Sequence, residues 1–156
     1  MSNIRHLVPF MILIAGCAGA PAPGVSQPQR LTAAEIEQHE HGGAGAGTSG
    51  VSGIQSITLA GDPTHGGLYT IELRIPANTR IEAHSHPDDR TATVISGTWN
   101  FGYGNQYEES ALKALAPGSF YTEPPNVVHF AKTGDSPVVL HISGYGPTGT
   151  KYVSKP

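Results

Sequence analysis

The chain has a single cysteine in 156 residues. That excludes a disulfide framework and any zinc site built on two or four cysteines. Charge is also scarce, at 13% Asp, Glu, Lys and Arg, against about 25% in an average soluble protein. The 9 Lys and Arg are outnumbered by 12 Asp and Glu, for a formal net charge of −3, so the chain carries no basic footprint for nucleic acid. No apolar run approaches the roughly 20 residues of a membrane-spanning helix. Neither a P-loop, a Gly-x-Gly-x-x-Gly, a His-Glu-x-x-His nor a Gly-x-Ser-x-Gly occurs, so phosphate-cradling loops and the serine nucleophile elbow are missing. Glycine and proline are abundant instead, at 20 and 13 residues. That load points to a turn-rich β protein with some linker, and the length suits one domain.

Residues 1–16 combine Arg5 with the short apolar run Val8 to Ala15, the pattern of a secretory signal peptide. Ile14-Ala15-Gly16-Cys17 resembles the bacterial lipobox. The resemblance implies that Cys17 is lipidated and becomes the first residue of the mature chain; the alternative is an ordinary signal cut near Ala18 to Ala20. Ala18, rather than Asp, follows the cysteine, so the expected address is the cell envelope, as a membrane-anchored lipoprotein facing the periplasm. Residues 17–53 read as a flexible Ala/Gly/Pro-rich tether. Within it Leu31 to Glu40 predicts a short helix with a Thr32–Glu35 capping box, stopped by Gly42 and Gly43. His39 and His41, at its end, are expected to be solvated.

From residue 54 to 156 short β-type runs alternate with turn clusters, the mark of a single all-β domain. Leu68 to Ile75 is the clearest: Tyr69, Ile71, Leu73 and Ile75 share one face, and Thr70, Glu72 and Arg74 the other. About eight strands are expected in all, closing on themselves so that few edges stay open. Gly97 marks a tight bend. Tyr107 to Ala116 breaks the pattern and predicts a helical turn or two, or an irregular crossing.

His84-Ser85-His86 carries the chemistry. On a strand, residues i and i+2 point to one face, so two imidazoles converge. A third from another strand would complete a metal site, and His129, after Pro124-Pro125-Asn126, is the best placed. Here the sequence resembles the cupins. Pro76 to Gly97 is similar to their first motif, and Pro117-Gly118 with Pro124 to His129 is similar to their second. The resemblance implies a small double-stranded β-helix (jelly-roll) barrel. It also implies that His84, His86 and His129 hold one divalent transition metal (Fe, Mn, Ni, Cu or Zn), with positions left open for a substrate or O₂.

The chain departs from the family pattern at one ligand. The family's Glu, seven positions before Gly97, falls on Arg90, and a guanidinium cannot bind a cation. The site is then a three-His triad, as in cupin-like dioxygenases that cleave diketones or oxidise thiols, or it recruits Glu123, six residues before His129. Glu123 in the second rank is preferred, orienting a histidine, pairing with Arg90 or acting as base. Arg90, if it faces inward, supplies a fixed positive charge for an anionic substrate or an enolate. Asn126 replaces the second motif's glycine and tolerates a left-handed backbone. His141 is a fourth ligand, an acid–base group or a packed histidine. Trp99, Phe101 and Tyr103 share a face and serve as core or as pocket wall.

The functional expectation is a metal-dependent, dioxygenase-like cupin oxidoreductase of the cell envelope. It would act on an unidentified small molecule, with Arg90 and Glu123 as catalytic groups and the membrane reached through Cys17. The alternatives are a non-catalytic metal- or ligand-binding module and a metal-dependent isomerase or lyase. The family resemblance also allows a homodimer.

Overall fold

The computed structural model describes residues 28–153. The expected signal peptide (1–16) and the lipidation residue Cys17 lie outside the described residues. A short helix, α1 (Ala33–Ile36), precedes ten strands: β1 (Gln55–Ala60), β2 (Gly67–Ile75), β3 (Arg80–Ser85), β4 (Arg90–Ser96), β5 (Trp99–Tyr103), β6 (Lys113–Leu115), β7 (Phe120–Glu123), β8 (His129–Thr133), β9 (Val138–Gly146) and β10 (Lys151–Tyr152). They form two five-stranded sheets, β1-β2-β9-β4-β7 and β10-β3-β8-β5-β6, and every pairing is antiparallel.

The alternation in β2 does what its pattern requires: Tyr69, Ile71, Leu73 and Ile75 are buried. β9 runs beside it in unbroken register from Gly67↔Gly146 to Ile75↔Val138 and adds Val138, Leu140 and Ile142 to the core. Ala92 and Val94 of β4 complete this wall; Ile81, Ala131, Trp99 and Phe101 come from the opposite sheet. Full burial of each large apolar side chain contributes about 1.5–3 kcal/mol, so these residues hold the two sheets face to face.

The helix length and the strand count differ from the sequence expectation for physical reasons, while the helical turn expected within Tyr107 to Ala116 is present. The helix spans four residues rather than ten. Its Thr32–Glu35 capping box forms, but none of its residues is buried, and a helix without a packed face does not propagate. Tyr107 to Ala116 contains a 3₁₀ turn, Glu109–Ala111, followed by β6, because Leu115 joins the core and Lys113 to Leu115 pair with β5. The last pairing comes from β10, whose Lys151 and Tyr152 sit opposite Ser85 and His84. Gly97 turns β4 into β5 at φ 77°, where an added Cβ would meet the Pro137 carbonyl oxygen at 2.3 Å.

Candidate metal centre

Two strand pairs deliver the site. His84 lies opposite His129 in the β3–β8 ladder, and Arg90 lies opposite Glu123 in the β4–β7 ladder. The register of the first pair shifts between Ile81 and His84: three steps along β3 match two along β8. This bulge reverses the parity of the strand. Ile81 and His84 therefore both line the central cavity, although they are three residues apart. His86 follows at the strand end, with its ring centroid 4.9 Å from that of His84 and 5.2 Å from that of His129.

The three imidazoles are buried, and they offer ligand atoms that all lie within 4.8 Å of one another. Each Nδ1 faces a backbone carbonyl: His84 to Glu82 at 2.7 Å, His86 to Gly149 at 2.5 Å and His129 to Val127 at 3.0 Å. A carbonyl only accepts, so each Nδ1 carries the proton and each Nε2 presents a lone pair. Burial, with the neighbouring His129, lowers the His84 pKa to about 4. Burial, with the Arg90 charge, lowers that of His86 to about 3. Burial also lowers His129. All three are neutral at pH 7, the form that binds a metal.

Glu123 closes the cluster from the other sheet. Its Oε2 is 3.7 Å from the Nε2 of His86 and 3.7 Å from that of His129. Those two nitrogens have no hydrogen-bond partner. Burial pushes the Glu123 carboxyl up, but the Arg90 guanidinium more than offsets it and holds the pKa at about 2. A carboxylate oxygen and two nitrogen lone pairs thus face one another with no proton between them. Buried acceptors so arranged repel unless a cation or a water's protons intervene. Three neutral imidazoles suit a divalent transition metal, so the residues present fit the ion implied by the sequence.

Arg90 points inward and is fully buried. It donates through Nε at 2.8 Å and through Nη2 to Glu123 Oε2. The third imidazole has a different partner: Ser49 Oγ lies 2.9 Å from His84 Nε2. Since that nitrogen is an acceptor, the hydroxyl donates. Ser49 and its neighbour Thr48, both buried, belong to the stretch read as flexible tether and line the barrel cavity. No signal in this Gly-rich stretch marks Ser49 as a site residue.

Among the described residues, the other histidines, the buried Asp88 and the aromatic side chains lie outside the three-histidine cluster. His141 faces away from the core residues Leu140 and Ile142; its Nε2 bonds Glu72 at 2.9 Å on the outside of the sheet, apart from the triad. His39, His41 and His65 stand outside the cluster, and His65 bonds Asp62 at 2.9 Å within its turn. Asp88 is buried but accepts from the Tyr69 hydroxyl at 2.6 Å. Trp99 and Phe101 line the cavity, whereas Tyr103 is half exposed at its strand end.

No family model matches the chain, and no curated protein matches it in sequence. Solved structures do match in fold. An RmlC-like cupin from Shewanella frigidimarina is 18% identical, with a TM-score of 0.56 over 77% of this chain and 92% of that one. The polyketide cyclase RemF from Streptomyces resistomycificus is 13% identical, with a TM-score of 0.63 over 83% of this chain and 88% of that one. A mutant of salicylate 1,2-dioxygenase from Pseudoaminobacter salicylatoxidans, in complex with gentisate, is 18% identical, with a TM-score of 0.51 over 65% of this chain and 29% of that one. With its two facing antiparallel sheets and three buried histidines at one mouth, the chain has the cupin fold, the double-stranded β-helix of the RmlC-like proteins.

Proposed function

We propose that the protein is a metal-dependent oxidoreductase of the dioxygenase-like kind, acting on a small molecule. His84, His86 and His129 hold one divalent transition metal, and Arg90 and Glu123 set the charge around it. The observation that carries this reading is the meeting of unpartnered acceptors, His86 Nε2 and His129 Nε2, with the Glu123 carboxylate. When bound, the metal supplies Lewis acidity toward a substrate and, if redox-active, electrons for chemistry with O₂. The carbonyls of Glu82, Gly149 and Val127 orient the rings. Arg90 cancels the charge of Glu123, so the protein groups at the site sum to zero and an ion keeps its full positive charge toward a ligand. The similar structures include a dioxygenase and a cyclase, so the fold alone does not choose the reaction.

One observation favours the second reading, a binding module without turnover. The barrel cavity that reaches His84, His129, Arg90 and Glu123 has a volume of about 20 Å³, enough for one water or ion and far below the roughly 300–1,000 Å³ of ordinary ligand pockets.

Metal analysis of the full chain and of His84→Ala separates these readings. About one Fe, Mn, Ni or Cu per chain in the wild type, lost in the variant, supports the site, and O₂ uptake with a panel of diketones and thiols then tests the reaction. Bound zinc without turnover favours the binding module. Turnover that persists with zinc and without O₂ favours an isomerase or lyase. Equal metal in both proteins would sink the triad.

The cell-envelope address is part of the same proposal. A lipid anchor at Cys17 would hold the domain at the membrane. Cys17→Ser should move the protein from the membrane fraction to the soluble fraction; an unchanged distribution would contradict the anchor.

A further inference from the structure

The stretch Gly45 to Gly50 crosses the mouth of the barrel as a strap. Ser49 holds a left-handed backbone at φ 58°, a conformation unfavourable for a residue with a Cβ. Gly47 passes so close to the sheet that a Cβ there would meet Ile71 Cδ1 at 2.5 Å. Three contacts tie the strap to the barrel. Ser49 donates to His84 Nε2 at 2.9 Å, Tyr152 donates to the Ser49 carbonyl at 2.7 Å, and Arg90 Nη1 faces the Gly47 carbonyl at 3.5 Å. Gly42 and Ser56 bond through both backbone N–H groups and anchor the base. Between Gly45 and Gly50 the strap offers no large apolar side chain to the core; its buried residues are the small Thr48 and Ser49, and Val51 beyond it packs against the core.

An imidazole Nε2 has one lone pair. In His84 that lone pair accepts the Ser49 proton, along the direction in which a metal would have to sit. The Ser49 hydrogen bond and a metal on His84 Nε2 therefore exclude each other. The small cavity bears on substrate as well, because Gly47, Thr48 and Ser49 are among the residues that line it. We infer that Ser49 is the latch of the metal site, and that loading His84 with a metal releases the strap and opens the barrel mouth to a small-molecule ligand. This inference rests on the metal reading above.

Cobalt(II) titration of the full chain tests it, read by its visible spectrum and by hydrogen exchange of the peptide spanning residues 42–53. The wild type should bind cobalt, and cobalt should raise exchange in the strap, whereas a metal that merely rigidified the site would lower it. Ser49→Ala removes the competing hydrogen bond and should bind cobalt about 3- to 10-fold more tightly, the ratio matching one ordinary hydrogen bond. Tyr152→Phe keeps the ring and loosens the strap through a different contact, so it should shift affinity the same way even if Ser49→Ala folds poorly. Unchanged or weaker binding in both variants, or strap exchange insensitive to cobalt, would overturn the latch while leaving the metal reading intact. Failure of all three proteins to bind cobalt would overturn the metal reading and the latch with it.

Discussion

Arg90 and Glu123 stand directly opposite each other in the β4–β7 ladder, and a single carboxylate oxygen of Glu123 accepts from both Nε and Nη2 of Arg90. The position where the cupin pattern has a glutamate thus holds a cation, and the carboxylate arrives from the neighbouring strand. Both side chains are buried, so each depends on the other for its charge.

Removing one partner leaves the other buried and unpaired. Arg90→Met should cost the metal-free protein about 3–5 kcal/mol, and Arg90→Met with Glu123→Leu should cost clearly less than the sum of the two single changes. Urea unfolding of the four proteins of the cycle measures this. An additive result would show that the pair is not coupled.

The metal-free protein should lose stability as the pH falls. His84 and His86 are depressed to about 4 and about 3 in the folded state, and His129 is depressed as well, while unfolded histidines titrate near 6.5. The unfolded chain therefore binds more protons below that value. The stability due to neutral burial is fully present above about pH 6.5 and is lost as the pH falls toward the folded values. Glu123, held at about 2, adds to the loss below its unfolded value of about 4.3. Near pH 5 unfolding should take up close to one proton each for His84 and His86, with a further contribution from His129. Melting temperatures between pH 5 and 7.5 in the presence of a chelator measure the slope, and a flat profile would contradict the neutral, buried triad.

Asn126 adopts φ 62° in the turn before His129, as its place at the second motif's glycine position suggests. Asn126→Gly should be neutral or slightly stabilising, whereas Asn126→Ala should cost about 1 kcal/mol. Thermal unfolding of the two variants compares them directly.

Gly97→Ala should be more damaging, by about 2 kcal/mol or more. The new Cβ would meet a backbone carbonyl at 2.3 Å, which cannot swing aside as a side chain can. A melting temperature within a degree of wild type would show that the β4–β5 bend has more freedom than its geometry implies.

The strand pattern was legible because burial on one face imposes a period of two: Tyr69, Ile71, Leu73 and Ile75 show it both in the sequence and in the core. The three histidines were legible because each stands at a motif position that a strand or its adjoining turn can aim. His84, however, reaches the cavity through a bulge that shifts the β3–β8 register, and a register shift has no signature in the sequence of one strand. The helix of Leu31 to Glu40 was overread, since its cap is local but its extension needed a packed face that the fold does not provide.

The sequence by itself determined the all-β class, and its resemblance to the two cupin motifs marked the three histidines and the misfit of Arg90, because these rest on residue type and on position within a motif. Only the tertiary structure decided that Glu123 pairs with Arg90, that His141 faces outward and that Ser49 closes on His84. Those three facts depend on strand register and on contacts 33, 69 and 35 residues apart along the chain. Such contacts form only when the two sheets have packed, and no local pattern encodes them.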